Sequence, residues 1–240
     1  MVDSLGDRMK AYERVSNGEL MRRTPVIIRL DGCAFHTLAK GIDRPYDTVL
    51  SGAMQDTMLQ LCKKIQGCVL GYTQSDEITL LIVDYFRLET QPWFSNNIQK
   101  MVSVSASIAT LEFNKSICSR IDGCNIDKYE KLKSATFDSR VFNIPKGDAA
   151  NCLVWRQQDA TRNSINGLAQ SVFSHKSLQF KNTSEVQDML MEKDINWNNV
   201  ETSFKRGSCA IRNGLGEWVI DNEIPIFTKN RDYINNLVII

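Results

Sequence analysis

The chain has 240 residues, an ordinary globular composition and a formal net charge of +1. That length suffices for a sizeable core, and the charge excludes a globally polybasic surface, so any nucleic-acid contact must come from local patches. No apolar run approaches the roughly 20 residues of a membrane span. The acid-bearing stretch Met1–Arg23 has neither the apolar centre of a secretory signal nor the acid-poor character of a transit peptide.

In chain order, the β-branched run Pro25–Gly32 predicts a buried strand that stops at an Asp-Gly turn. From Tyr46 to Gln66, Leu50, Ala53, Met54, Met58, Leu61 and Ile65 recur at helical spacing. Gly67–Tyr72 and Glu77–Val83 predict a hairpin turning at Thr73–Asp76. A second helix spans Ser95–Ser116, with small residues Ser103, Ser105, Ala106 and Ser107 suited to close approach to a sheet. Thr136–Asn143 alternates as a strand, and Pro145 ends it. The order strand, helix, strand, strand, helix, strand is the split βαβ, or ferredoxin-like, pattern. It predicts an α+β fold in which both helices cover one face of a four-stranded antiparallel sheet.

Beyond Pro145 the pattern predicts helices over Ala149–Phe173 and Thr183–Lys193, the latter capped around Thr183-Ser184-Glu185, and a hairpin over Ser208–Ile220 turning at Asn213–Gly216. The expected division is residues 1–145, a βαββαβ domain with an N-terminal extension, and residues 146–240, an α-rich appendage with a hairpin. No Gly/Ser/Pro-rich linker separates them.

Seven cysteines (Cys33, Cys62, Cys68, Cys118, Cys124, Cys152 and Cys209), none in a C-x-x-C pair, read as reduced thiols of a cytoplasmic protein. In the expected topology the end of the first strand meets the start of the hairpin's second strand. Asp31 should therefore converge with Asp76 and Glu77. Two carboxylates at a sheet end suit Mg²⁺, which takes oxygen ligands and shares them with substrate phosphates. Two such ions can activate a hydroxyl and hold a transferring phosphoryl group. An Asp-Gly turn and a solvated Ser-Asp-Glu hairpin tip explain the same residues without function. The residues alone leave both readings open.

Other chemistries have no anchor. G-x-x-x-x-G-K-[ST], G-x-G-x-x-G and G-x-S-x-G are all absent. Of the two histidines, His36 follows the first strand closely enough to reach a phosphate or a base, and His175 reads as structural. The basic pairs Arg22-Arg23, Lys63-Lys64 and Lys205-Arg206 read as solvated faces or phosphate contacts, and Trp155 reads as core.

The stretches "RLDGCAFH", "GYTQSDE", "WF" before a Lys-bearing helix, "FDSRVFNIP", "WRQQDATRNSI", "FKRGS" and "EIPIFTKNRDYI" together resemble the tRNA-His guanylyltransferase family, from about Pro25 to Tyr233. The resemblance implies a palm-type catalytic sheet that adds nucleotides to the 5′ end of tRNA, in the 3′-to-5′ direction. A 5′-monophosphate is first activated by ATP or GTP, and the 3′-hydroxyl of the incoming nucleotide then attacks. It implies that Asp31, Asp76 and the Gly32 carbonyl hold two Mg²⁺ ions, with Glu77 supporting them. Asp31, Gly32, Cys33, Ala34, Phe35 and His36 would wrap the nucleotide and its triphosphate, and Ser75 and Lys100 would contact phosphates. Asp47 would lie near the activating nucleotide. A homotetramer is implied as well.

The chain also departs from the family pattern. Where the dedicated enzymes carry His-Ile-Asn-Asn-Leu-Tyr-Asn, it has Thr161–Gly167, and only Asn163 keeps its place. The family arginine three residues before Lys100 is Asn97, and the loop after His36 is shorter. These changes place the resemblance nearer the guanylyltransferase-like branch, which implies template-dependent repair of 5′-truncated tRNA. The alternatives are non-templated guanylylation of tRNA-His, a palm-fold nucleotide cyclase, whose Gly-Gly-Asp-Glu-Phe signature is absent, and a non-catalytic RNA-binding module. The last normally displays aromatics on central strands. Here the hairpin strands offer only Tyr72.

Overall fold

The run Val-Ile-Ile that predicts the first strand becomes β1 (Val26–Gly32), an inner strand of a six-stranded antiparallel sheet. The structure is a computed structural model, and it describes residues 4–121 and 126–239. The helix α1 (Leu5–Arg14) precedes β1; the one-turn α2 (Phe35–Leu38) and α3 (Thr48–Lys64) follow it. Then come the hairpin β2 (Cys68–Gln74) and β3 (Glu77–Ile82), α4 (Ile98–Arg120), α5 (Ile126–Tyr129) and β4 (Phe137–Asn143). The remainder forms α6 (Ala149–Val172), α7 (His175–Leu178), α8 (Thr183–Met191), α9 (Thr202–Arg206), β5 (Ser208–Arg212), β6 (Trp218–Asp221) and α10 (Asp232–Asn235).

The sheet runs β4-β1-β3-β2-β5-β6. Successive side chains of a strand point to opposite faces, and here both faces are covered. Val26, Ile28 and Leu30 join a core with Met54 and Met58 of α3 and Met101 and Phe113 of α4. Ile27 joins a second core with Leu70, Tyr72 and Leu81 of the hairpin, Leu153 and Val154 of α6, and Phe227. Burial on both sides is why β1 reads as an unbroken apolar run. The approach of α4 to the sheet rests on Ser105, whose hydroxyl lies 2.7 Å from that of Ser139 on β4. Ser103 and Ser107 instead face outward and donate to carbonyls of their own helix.

The sheet has two more strands than the four expected. The predicted hairpin at 208–220 pairs with β2 (Gly71↔Ala210, Tyr72↔Cys209, Thr73↔Ser208), so residues 146–240 extend the sheet as well as covering it. A free strand edge with its row of unpaired amides and carbonyls accepts such a hairpin, and local patterning cannot identify which edge is free. The helix expected from Thr183 is capped one residue earlier: the Asn182 side chain accepts from the Glu185 amide, and the Glu185 carboxylate accepts from the Asn182 amide. The helix α1 lies outside the elements predicted from the sequence, and none of its residues is buried. Six of the seven cysteines are free thiols; Cys124 lies outside the described residues. Among the described residues no helix is long and apolar enough to cross a membrane.

Candidate active site

The end of β1 is clamped from both sides. The Gly32 amide donates to the Asp76 carbonyl (3.0 Å), and the Cys33 amide donates to the Thr136 carbonyl (2.9 Å). Asp31 therefore stands opposite Glu77 on β3 and opposite Asp138 on β4. Amide and carbonyl of one strand residue point the same way, so the Gly32 carbonyl also faces the turn that carries Asp76. That turn is Ser75-Asp76, tighter than expected, with Ser75 in the left-handed region (φ 51°) and its hydroxyl 3.0 Å from the Asp76 carboxylate.

The Asp-Gly-x-x-Phe spacing has a packing cause. Phe35 folds back into the core against Phe113 and Phe137, with ring centroids 5.3 and 5.4 Å away. A Cβ on residue 32 would come within 2.3 Å of its ring, so only glycine fits there. Phe35 thus anchors the loop, and its side chain is unavailable to a nucleotide. Ala34 (φ 56°) and His36 remain exposed and Cys33 half-buried. The amides of Phe35 and His36 open α2 and have no acceptor within that helix.

Alternation puts Asp31, Glu77 and Asp138 on the α6 face of the sheet, the face of Ile27 and Leu81. Like charges facing each other across strands repel. Arg156 of α6 relieves part of this: its Nη1 donates to both Glu77 oxygens at 3.0 and 3.2 Å, and its Nη2 donates to Asp159 at 2.5 Å. Even so, burial holds the Glu77 carboxyl above its ordinary range, outweighing the pull of Arg156 and Arg29. Asp76 is also pushed up, first by burial and further by the Asp31 charge, against the lowering effects of the Ser75 hydroxyl and His36. Among the described residues neither Asp31 nor Asp76 has an ion-pair partner. Two clustered carboxylates without a counter-ion, next to a carbonyl oxygen, are a donor set that fits Mg²⁺. Glu77, with both oxygens on Arg156, is not free to join it.

Beside the turn lies a cavity of about 200 Å³, lined among others by Tyr46, Asp47, Gln74, Ser75, Asn163 and Phe204. Tyr46 stacks on Phe204 with centroids 4.8 Å apart, and its hydroxyl lies 2.9 Å from that of Ser164. Asp47 is buried as the N-cap of α3, accepting from the Leu50 and Asp43 amides and the Tyr129 hydroxyl at 2.9, 3.0 and 3.0 Å. The structure thus brings Asp31, Gly32, Ser75, Asp76 and Glu77 together and sets Asp47 in the wall of the adjoining cavity.

Lys100 is elsewhere. It opens α4, where the Ile98 amide donates to Gly18 and the Leu20 amide to Asn96, while Met21 is tied to Asn143. Asn143 pairs with Val26, five residues back from Asp31, roughly 17 Å along the strand. Lys100 therefore does not join the carboxylates of its own chain. Trp155, expected in the core, is 51% exposed, with the Arg156 guanidinium 3.9 Å and that of Arg29 5.7 Å from its ring centroid. Residue-level reading also missed Arg156 and Asp159. Their available signal was a helical i,i+3 Arg–Asp pair following an apolar stretch.

A family model described as tRNAHis guanylyltransferase matches residues 6–145. Among solved structures, the chain is similar to a bacterial tRNA(His) guanylyltransferase (Thg1)-like protein in complex with ATP, with a TM-score of 0.91 and 45% identity over 99% of this chain and 100% of that one. A bacterial protein of the same description in complex with GTP gives a TM-score of 0.83 and 40% identity over 99% and 100% of the two chains. A curated relative, the tRNA(His) guanylyltransferase of Schizosaccharomyces pombe, is 27% identical over 236 residues, covering 91% of this chain and 84% of its own length.

Proposed function

The chain belongs to the tRNAHis guanylyltransferase family, a family of nucleotidyltransferases, and from that premise we propose that it repairs 5′-truncated tRNA by template-dependent addition of nucleotides in the 3′-to-5′ direction. The observation that carries the reading is the clamp at the end of β1, which pairs Asp31 with Glu77 and ties Gly32 to Asp76 beside a cavity at the hairpin turn. On this reading strands β1 to β4 and helices α3 and α4 form a palm of ferredoxin-like order. Asp31, Asp76 and the Gly32 carbonyl hold two Mg²⁺ ions, which when bound stabilise charge on the transferring phosphoryl group.

The chain's own residues do the rest. Arg156 holds Glu77, and with it the root of the hairpin turn, so that Asp76 stays aimed at Asp31. The Ser75 hydroxyl, turned from Asp76 to the ligand, and the amides of Phe35 and His36 that open α2 donate to the triphosphate. The cavity beside Asp47 and Tyr46 takes the activating nucleotide. ATP or GTP first caps the RNA 5′-monophosphate with release of pyrophosphate. The 3′-hydroxyl of the incoming nucleotide then attacks the capped phosphate and expels the nucleoside monophosphate. Lys100, remote from its own carboxylates, serves phosphates bound to a neighbouring copy in a homotetramer.

Template dependence is supported by the segment Thr161–Gly167, which lacks the signature of the dedicated enzymes. Base pairing then chooses the nucleotide, while the protein contacts RNA shape and backbone. The test is incubation with Mg²⁺, ATP and all four nucleoside triphosphates on 5′-truncated tRNAs of several identities, with the opposing base varied and the products sequenced. The added base should follow the opposing base. Addition of G to tRNA-His alone, whatever stands opposite, overturns the templated reading.

A further inference from the structure

A second cavity, of about 340 Å³, opens between other faces of α6 and α9, and Gln158, Thr161, Trp197, Asn198, Lys205 and Arg206 lie in its wall. Its wall is rigid. The Gln157 side chain donates to the Pro225 carbonyl (2.9 Å) and accepts from the Phe227 amide (2.8 Å). The Arg206 carbonyl accepts from the Tyr72 hydroxyl (2.8 Å). The next residue, Gly207 (φ 85°), sits so close to β2 that a Cβ there would come within 2.5 Å of the Thr73 carbonyl oxygen. Arg206 is thereby mounted on the sheet at its backbone.

Its side chain, in contrast, is incomplete. The Arg206 Nε is buried and has no hydrogen-bond partner, and neither Arg206 nor Lys205 forms an ion pair among the described residues. Arg156 also leaves its Nε unpaired, but its Nη atoms hold two carboxylates, whereas no ion pair among the described residues holds Arg206. Lys205 donates to the Asn198 carbonyl (2.7 Å) and lies 5.8 Å from the Trp197 ring centroid, which fixes its ammonium at the cavity wall. A guanidinium fork and an ammonium lining one cavity, with the side-chain amides of Gln158 and Asn198 and the Thr161 hydroxyl in the same wall, suit the acceptor oxygens of a phosphate. With no carboxylate of the described residues on Arg206 or Lys205, the charge they bring to the cavity wall is left for an anionic ligand to meet.

We propose that this cavity is a second anion site that holds a backbone phosphate of the RNA substrate through Arg206 and Lys205. The assignment of the phosphate to RNA rests on the function proposed above. It also follows from place: Gly207 abuts Thr73, three residues before Asp76, so the site lies roughly 10 Å along β2 from the catalytic turn. The near-neutral chain would then meet RNA through local cationic cavities of this kind.

The test uses the full chain and tRNA. Affinity is measured over a series of KCl concentrations for the wild type, Arg206→Gln, Arg206→Lys and Lys205→Gln, alongside GTP affinity and thermal stability. Arg206→Gln should weaken tRNA binding about tenfold at moderate salt and shrink the slope of log affinity against log salt by about 0.7–0.9. Lys205→Gln should shrink it similarly, and Arg206→Lys should keep the slope. GTP affinity should stay at the wild-type value. Unchanged slopes in both Gln variants overturn the proposal. Equal losses for GTP and tRNA overturn the assignment to RNA and give the cavity to the nucleotide. Should Arg206→Gln not fold, Lys205→Gln decides. A wild type that binds tRNA with these slopes but never extends it refutes the reaction and leaves the anion site standing. A wild type that extends tRNA while the Gln variants keep its slope refutes the site alone.

Discussion

Replacing Arg156 with methionine tests the link between α6 and the β2–β3 hairpin. The substitution keeps an unbranched, flexible stem and removes the guanidinium with its charge. It deletes two bonds to Glu77, at 3.0 and 3.2 Å, and one to Asp159, at 2.5 Å. The side chains left behind are only 14% and 22% exposed. Removing one partner of a buried pair costs about 3–5 kcal/mol, mostly from the uncompensated charge left behind. Asp159 keeps Arg162 as a partner, so the cost falls mainly on Glu77 and sits at the lower end, about 3 kcal/mol. For a chain of this size that corresponds to a fall in Tm of about 6–12 °C. Glu77→Gln leaves Arg156 its bond to Asp159 and should cost less, about 1–2 kcal/mol. The double variant has no orphaned carboxylate at position 77, so its loss should be smaller than the sum of the two single losses by about 1 kcal/mol or more. Denaturant unfolding of the four proteins measures this cycle. Additivity to within about 0.5 kcal/mol, or a nearly neutral Arg156→Met, refutes the claim that this pair secures the hairpin.

Asp31→Ala and Asp76→Ala should each abolish nucleotide addition at saturating Mg²⁺ while keeping the cooperative unfolding of the wild type, because on the proposed reading each removes a metal-holding carboxylate whose loss would cost several kcal/mol of transition-state stabilisation; near-normal turnover in either variant refutes the metal assignment. Because the Asp76 pKa is raised in the fold, the native state binds more protons than the unfolded state between the ordinary aspartate range and that raised value. Metal-free stability should therefore fall as pH rises through that window, and Asp76→Asn should flatten the fall in Tm scans with chelator present. Gly32→Ala forces a methyl to within 2.3 Å of the Phe35 ring. The overpacking should cost about 1–3 kcal/mol, and activity should fall with the displaced loop; unchanged Tm and turnover would show that the ring yields freely.

Much of this protein is legible residue by residue. The strand ending at Asp31-Gly32, the two helices with apolar positions at helical spacing, and the hairpin around Ser75-Asp76 follow from local periodicity and turn chemistry, because side-chain direction repeats every two or 3.6 residues. The split βαβ order sets the first strand antiparallel beside the hairpin's second strand, so the meeting of Asp31 with Glu77 was already implied. The motif residues carried the family as well. What periodicity could not supply is every contact between distant segments. The hairpin β5–β6 could have packed anywhere on the first domain; the free edge of β2 and the tight fit of Gly207 against Thr73 decided its place. Arg156 finds Glu77 across 79 positions because α6 crosses the sheet face on which Glu77 happens to point. Trp155, one residue before it, is turned out of the core by the same helical phase. Lys100 shares motif order with the carboxylates but begins a helix at the other end of the sheet, since α4 must start where β3 stops. Local sequence determined the elements and the chemistry they carry; only tertiary packing, which sums long-range contacts that no short window contains, decided which of those groups meet.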